Sequence, residues 1–226
     1  MTTVMYGQAD IGFVAGTAPP TDTTPPTGTV TINNGAANTN TPNATLTLSA
    51  TDGSGTVSQM QFSNDGSAYS TPEPYVTTKT WTLSSGDGTK TVHAKFKDAA
   101  GNWATAVTDT IVLDTTAPTG AVSVNTGAAA TNTLTVTLTL SATDNAGTVS
   151  QMQFSSDNVT YTAPETYATT KAWTLTAGDG TKTVYAKFKD PAGNWSTAVS
   201  DTIVLDTTPP SLSITSPIDG ALLGAQ

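Results

Sequence analysis

The clearest pattern in the chain is an alternation of apolar and polar residues in two matching stretches. The alternating positions within residues 178–190 are Val184, Tyr185, Ala186, Lys187, Phe188 and Lys189. The same stretch recurs at residues 86–98, where His93 in the place of Tyr185 is the only difference. A period of two predicts a β-strand with one buried face and one face in solvent.

Shorter stretches of the same kind predict further strands. In the first half of the chain their apolar positions are Val30, Ile32, Leu46, Leu48, Met60, Phe62, Trp81, Leu83, Ile111 and Leu113. Residues 69–78 contain Pro72 and Pro74, which predicts an edge strand because proline cannot donate a hydrogen bond to a sheet. Residues 33–43 are rich in turn-forming types and predict a loop. About seven short strands, with turns roughly every 8–12 residues, indicate a β-sandwich.

The pattern is used twice. Asp22, Asp114 and Asp206 each open the motif Asp-Thr-Thr-x-Pro, and each of these aspartates follows the previous one by 92 residues. The tryptophans keep the same spacing without any gap. A constant period of this kind belongs to one structural unit. We therefore predict an all-β chain of two tandem immunoglobulin-like sandwiches, repeat 1 at 22–113 and repeat 2 at 114–205.

Two extensions flank the repeats. Residues 1–21 form an N-terminal extension or anchor, for which two interpretations stay open: a tail, or a strand that docks onto another chain. Residues 206–226 are the start of a third repeat, with a strand at 212–214, or a tail that pairs elsewhere. Because a single strand cannot bury itself, other protein subunits are the expected partners of these N- and C-terminal strands.

Composition narrows the function classes. The chain has a formal net charge of −9, and all eight basic residues are lysines. An acidic chain without a basic patch is a poor ligand for nucleic acid. There is no cysteine, which excludes disulfides and thiol chemistry. No apolar run approaches the roughly 20 residues of a membrane-spanning helix, and residues 1–16, which lack Lys and Arg, make a poor signal peptide.

Four motifs carry a resemblance to a known family. Asp-Thr-Thr-x-Pro, Leu-Ser-Ala-Thr-Asp, Gly-Asp-Gly-Thr-Lys-Thr-Val and Asp-x-Ala-Gly-Asn-Trp occur in both repeats. Over residues 22–210 or so, the chain resembles bacterial immunoglobulin-like, or fibronectin type III-like, repeats. The resemblance implies domains of long surface and secreted proteins, or decorations of phage virions. The cysteine pair and partner tryptophan of antibody-type domains are missing.

Six carboxylates are candidate metal ligands. In this sandwich topology the start of the first strand and two loops lie at one end, which predicts two clusters: Asp22, Asp52 and Asp98, and Asp114, Asp144 and Asp190. Three carboxylates repel one another unless a cation lies between them, and Ca²⁺ takes 6–8 oxygen ligands. Backbone carbonyls and Asn102 or Asn194 are candidates for the remaining ligands. Calcium at domain junctions is also what a resemblance to the extender repeats of large bacterial adhesins implies. The alternative is that each aspartate caps a turn.

Other candidates for chemistry are weaker. His93 is the single histidine and is predicted to be a surface residue; the sequence has neither a nucleophile elbow nor a phosphate loop, so we expect no enzyme. Trp103 and Trp195 are predicted to cap the core, with stacking on a sugar ring as the alternative. A solvated outer face is predicted for Lys95, Lys97, Tyr185, Lys187 and Lys189.

One pair of residues breaks the alternation. Asp109 and Asp201 share the core-facing parity of their strands. A lone buried carboxylate is costly. We therefore predict that a bulge or the edge position of the strand turns each of them outward.

These observations favour a non-catalytic structural or adhesive stalk that projects or displays something at an outer surface. The expected location is extracellular, at a bacterial cell surface or in a filament. Two alternatives remain: a phage decoration or tail protein on the virion surface, and a carbohydrate-binding module whose partners are surface glycans.

Overall fold

The computed structural model describes residues 21–53 and 55–213, and the following sections concern these ranges. They form four β-sheets arranged as two sandwiches, which confirms the predicted all-β fold. Within these ranges, no helix has the length and apolar content that crossing a bilayer requires.

The first sandwich contains eight strands. They are β1 Thr27–Ile32, β2 Asn38–Thr39, β3 Asn43–Thr51, β4 Val57–Ser63, β5 Glu73–Pro74, β6 Thr78–Thr82, β7 Gly88–Asp98 and β8 Val107–Leu113. One sheet has the order β1-β3-β6 and the other the order β2-β8-β7-β4-β5. Every pair is antiparallel except β2 with β8.

The second sandwich repeats this plan strand for strand. Its elements are β9 Thr119–Val124, β10 Ala130–Thr131, β11 Thr135–Thr143, β12 Gln151–Ser155, β13 Glu165–Thr166, β14 Thr170–Thr174, β15 Gly180–Lys189 and β16 Val199–Leu205. The sheets have the orders β14-β11-β9 and β10-β16-β15-β12-β13. Equal strand order in both halves follows from the 92-residue period.

Each sandwich has its own apolar core. The alternation along β7 and β15 places Phe96 and Phe188 fully inside, each 0% exposed. Burial of aromatic rings of this size is the main source of stability in a small sandwich. The rings also press against the first strand of their repeat. A Cβ atom at Gly28 would lie 2.6 Å from Phe96 Cε2, so this strand position has no room for a side chain.

The segment after β1 has more regular structure than was predicted. Residues 33–43 were expected to be a loop, and instead hold a 3₁₀ turn at Asn33–Gly35 followed by the short strand β2. Asn33 and Asn34 have φ of 46° and 55°, a left-handed conformation that asparagine tolerates better than most residues. By contrast, β5 lies at the edge of its sheet, as the prolines predicted.

The prediction for Asp109 and Asp201 was wrong. The pairing of β7 with β8 is continuous through Asp109, without a bulge. Asp109 is half-buried, and its Oδ2 accepts the N–H of Ile32 from the opposite sheet at 2.7 Å. Asp201 accepts the N–H of Val124 at 2.8 Å in the same way. Each carboxylate thus satisfies a buried backbone donor and joins the two sheets of its sandwich.

The predicted extensions lie mostly outside the described residues. The possible docking strand falls within residues 1–20, and most of the possible third repeat falls within residues 214–226. Residues 206–213 are described and contain no strand, and Leu212 is 87% exposed. The pairing of these segments with other subunits stays a prediction.

Candidate functional site

The structure brings the six predicted carboxylates together in two groups of three. Asp22, Asp52 and Asp98 form one group, and Asp114, Asp144 and Asp190 form the other. Within each group, one carboxylate oxygen per residue lies within 4.8 Å of those of the other two. The second group lies where β8 of the first repeat leads into the second repeat.

Asp190 anchors the second group. It is 1% exposed, and its Oδ1 accepts the N–H groups of Gly193 and Asn194 at 2.6 and 2.9 Å. Its Oδ2 accepts Asn194 Nδ2 at 2.7 Å. Asp98 makes the equivalent bonds with Gly101 and Asn102. The turn-capping role that was the alternative to metal binding is therefore present at both residues.

Asp114 is the residue that joins the two repeats. It follows β8 directly, and its backbone N–H donates to the carbonyl of Thr39 at 2.9 Å. Its own carbonyl accepts Asn194 Nδ2 at 2.8 Å, and its Oδ1 accepts the N–H of Thr116 at 3.1 Å. These bonds to both repeats leave the side chain buried at 2% exposure.

Asp144 completes the group with an oxygen that lacks a donor. Its Oδ2 accepts the N–H of Ala146 at 2.9 Å. Its Oδ1 is buried and has no hydrogen-bond partner among the described residues. A buried carboxylate oxygen without a donor is unfavourable, and a bound cation would remove that cost.

The pKa is shifted in opposite directions at Asp114 and Asp98, which occupy different positions of the repeat. Burial raises the pKa of Asp114. The hydrogen bond from the N–H of Thr116 lowers it, and the negative charges of Asp144, Asp190 and Asp87 raise it further. At Asp98, burial also opposes ionisation. Hydrogen bonds from Asn102, Gly101 and Ala100 outweigh it and lower the pKa of Asp98.

The spacing of the oxygens suits a hard divalent cation. Calcium binds oxygens at about 2.3–2.6 Å, so two ligands on opposite sides of the ion are about 5 Å apart. Three carboxylate oxygens within 4.8 Å of one another are therefore close enough to be ligands of one calcium ion. Asn194 uses its Nδ2 as a donor inside the group, so in this structure it braces the aspartates.

A second feature at each domain end is a contact between a turn and the linker that follows the domain. Asp87 Oδ1 accepts both the N–H and the hydroxyl of Thr115, at 2.9 and 2.8 Å, and its Oδ2 accepts the Thr116 hydroxyl at 2.7 Å. We call this contact the linker clamp. Asp179 makes the same three bonds with Thr207 and Thr208. Asn145 Nδ2 of the second repeat lies 3.5 Å from Asp87 Oδ2.

The remaining candidates lie on the outer face of the five-stranded sheets. His93 is half-exposed and lies against Gly66, where a Cβ would be 2.9 Å from its Cε1. Trp103 and Trp195 are half-buried, and the ammonium of Lys97 lies 5.6 Å from the Trp103 ring centre. Sequence reasoning missed Tyr69 and Tyr161, which lie under Lys95 and Lys187. Their position beside a lysine depends on the conformation of the loops after β4 and β12 and leaves no local signal.

Comparison with known proteins supports the fold. The chain is similar to the fibronectin(III)-like modules of Clostridium thermocellum CbhA, with 18% identity over 78% of this chain and 93% of that one, and a TM-score of 0.51. It is also similar to the FN1–FN3 domains of chicken CNTN1, with 10% identity over 74% of this chain and 62% of that one, and a TM-score of 0.47. Three N-terminal domains of the bacteriophage RB49 capsid protein Hoc match at 15% identity over 79% and 59%, with a TM-score of 0.40.

No family model and no curated protein matches the chain. The similarity to the CbhA modules, at a TM-score of 0.51, together with the sheet topology, shows the fold. The chain is a tandem of fibronectin type III-like, immunoglobulin-like β-sandwiches.

Proposed function

We propose that this chain is a non-catalytic structural stalk whose two sandwiches space or display a partner at an extracellular or cell-surface location. The linker clamp carries the proposal. Each repeat holds the Thr-Thr segment of the linker that follows it, in the same geometry at Asp87 and at Asp179. A domain that forms hydrogen bonds with the linker after it restricts the direction in which the next domain begins.

The prolines in the linkers also support a stiff stalk. The linkers continue as Ala117-Pro118 and Pro209-Pro210, and proline limits the backbone freedom of a linker. The clamp therefore acts on the first half of each linker and proline on the second. The resulting junction is stiff, as a spacer requires.

We also propose that Ca²⁺ binds each acidic group, and that the ion at Asp114, Asp144 and Asp190 stiffens the junction. Two observations support calcium: the oxygen spacing, and the buried Asp144 Oδ1 that lacks a donor among the described residues. The ion would neutralise carboxylates that come from both sides of the linker. It would therefore add a link between the repeats that the clamp alone does not provide.

Isothermal titration calorimetry of the full chain tests the metal sites. We expect two calcium ions for the unchanged chain, one for Asp144→Asn, one for the matched variant Asp52→Asn, and none for the double variant. Glu73→Gln, which lies outside both groups, should retain two. A melting temperature that neither calcium nor a chelator changes would refute the metal proposal.

The stiffness of the junction has a separate test. Because the chain has no cysteine, a Ser67→Cys and Val159→Cys pair at equivalent exposed positions gives two unique spin-label sites. We expect a narrow distance distribution by pulsed electron resonance in calcium and a broader one in Asp87→Asn. A distribution that is equally broad in both proteins would exclude a stiff stalk, whatever the calcium titration gives.

A further inference from the structure

The outer face of each five-stranded sheet carries a recurring arrangement of amides and ammonium groups. In the first repeat, Gln59 pairs with Lys97 and Gln61 pairs with Lys95 across β4 and β7. In the second repeat, Gln151 pairs with Lys189 and Gln153 with Lys187. Directly opposite side chains on one face lie about 5 Å apart, so each glutamine amide is next to an ammonium-bearing side chain.

Aromatic rings lie beside the lysines of this arrangement. Lys95 Nζ lies 4.3 Å from the centre of the Tyr69 ring, and Lys97 Nζ lies 5.6 Å from that of Trp103. Lys187 and Lys189 repeat the contacts with Tyr161 at 4.5 Å and Trp195 at 5.7 Å. The backbones of Trp103 and Trp195 pair with those of Lys97 and Lys189, and each indole lies beside its lysine. We call Gln59, Gln61, Tyr69, Lys95, Lys97 and Trp103, with their equivalents in the second repeat, the lysine–aromatic face.

The lysine–aromatic face concentrates positive charge in an acidic chain. It holds four of the eight lysines, although the chain has a net charge of −9. Within the described ranges, none of these four lysines forms a salt bridge; the two salt bridges there join Lys79 to Glu73 and Lys171 to Glu165. The four lysines and the rings beside them are half-buried, and each ammonium group lies within 5.7 Å of a ring centre.

From this geometry we infer that the lysine–aromatic face binds an acidic polysaccharide, in which the sugars carry carboxylate groups as in a uronic acid polymer. The ammonium groups bind the carboxylates with charge-assisted hydrogen bonds. The glutamine amides supply donors and acceptors for the sugar hydroxyls, and the rings hold the ammonium groups in position.

The position of the lysines selects an acidic ligand over a neutral one. An ammonium over a ring occupies that ring face, so a neutral sugar that stacks there has to displace it. A carboxylate binds the ammonium where it already lies. Because the ring restrains the long lysine side chain, less conformational entropy is lost on binding.

Two equivalent faces in one chain add avidity. Binding at the first repeat makes the second binding event intramolecular, which raises the apparent affinity for a long polymer without any new contact. A short oligosaccharide that occupies a single face lacks this gain.

Affinity electrophoresis of the full chain through gels that contain polygalacturonate tests the inference. Fully methyl-esterified polygalacturonate has the same sugars without the charges and is the matched ligand control. We expect retardation by the acid form alone. The Lys97→Gln and Lys189→Gln double variant should weaken binding by about tenfold or more, as expected for loss of a charge-assisted bond at each face.

The matched protein control is the double variant Lys79→Gln and Lys171→Gln, which lowers the net charge equally on the other sheet. It should bind polygalacturonate like the unchanged chain. Trp103→Leu with Trp195→Leu should weaken binding while the lysines remain, which separates the face from simple charge attraction.

Three outcomes would overturn the inference. One is that the unchanged chain is not retarded by the acid form. Another is that the two lysine double variants lose binding equally, which shows attraction by net charge alone. The last is that single-stranded DNA is bound as tightly as polygalacturonate, which shows an unspecific affinity for polyanions. Circular dichroism of every variant confirms that it is folded.

Discussion

The two repeats share a backbone plan and differ in how completely they satisfy their polar groups. In the first repeat, Trp81 Nε1 donates to Asn64 Oδ1 at 2.8 Å. In the second, Ser156 replaces Asn64, and Trp173 Nε1 is buried without a partner among the described residues. The Trp81 ring nevertheless packs against Phe62, and the Trp173 ring against Phe154. The ring centres are 5.5 and 5.8 Å apart. The alternation of apolar residues therefore determines the fold. The replacement of Asn64 by Ser156 leaves the fold unchanged and costs the second repeat one buried hydrogen bond.

The acidic groups show a second contrast between the repeats. Asp114 is 2% exposed because the preceding repeat supplies its neighbours, including the Thr39 carbonyl. Asp22 occupies the equivalent position and is half-exposed. The same motif thus differs in burial between the two repeats, and we expect the second group to bind calcium more tightly than the first.

The largest expected effect separates the two cores. Phe188→Ala should lower the unfolding free energy of the second repeat by about 3–5 kcal/mol, because the ring is fully buried and leaves a cavity. Phe96→Ala should do the same to the first repeat. Differential scanning calorimetry should show one transition displaced in each variant. Equal displacement of both transitions by either variant would mean that the cores unfold together.

The next effect concerns the link between the sheets. Asp201→Ala removes the acceptor of the buried Val124 N–H and should cost the second repeat about 1–3 kcal/mol in urea unfolding. Asp201→Asn keeps an oxygen acceptor and should recover most of the loss. Asp109→Ala should have an equal effect on the first repeat. No difference between the alanine and asparagine variants would argue against the hydrogen bond as the cause.

A smaller effect should stabilise the protein. Ser156→Asn supplies the acceptor that Trp173 Nε1 lacks among the described residues, and should raise the unfolding free energy of the second repeat by about 1 kcal/mol. The converse change Asn64→Ser should destabilise the first repeat, because it leaves Trp81 Nε1 unpaired. Fluorescence-detected urea unfolding measures both, and a Ser156→Asn variant no more stable than the unchanged chain would contradict the comparison.

The smallest effect depends on pH. The Thr116 hydroxyl, followed by the N–H and hydroxyl of Thr115, lowers the pKa of Asp87 from 3.8 to about 2. A lowered pKa in the folded state means that the ionised carboxylate stabilises the fold. This contribution is complete above about pH 4 and is lost as the pH falls through about 2.

Thermal melts in the absence of calcium measure this contribution. The difference in melting temperature between the unchanged chain and Asp87→Asn should shrink from pH 5 to pH 2. Asp179→Asn should follow the same curve, because Thr208 and Thr207 lower the pKa of Asp179 to about 2. A difference that stays constant or grows would mean that the clamp does not depend on the charge.

The alternation of apolar residues was sufficient to predict the strands that form the cores. Val92, Ala94 and Phe96 are all fully buried, as their spacing predicted. Because loops at one end of a sandwich converge, the six aspartates were also predicted to lie in two groups, as they do in the structure. Calcium binding itself stays a prediction.

Contacts between residues far apart in sequence were beyond prediction. Gly-Asp-Gly predicts a turn, but nothing local indicates that Asp87 binds threonines 28 residues later. The sheet-to-sheet bond of Asp109 was missed because parity describes which way a side chain points and not what it meets there. Tyr69 was missed because its position beside Lys95 depends on the conformation of the loop after β4.

The linker clamp has a consequence for how such a chain can grow. Asp87 and Asp179 precede the threonines that they bind by 28 and 29 residues, and those threonines belong to the Asp-Thr-Thr motif that opens each 92-residue unit. Unequal recombination that adds or removes one 92-residue copy therefore preserves donor and acceptor together. A chain that is lengthened or shortened by whole domains therefore retains the clamp at every junction.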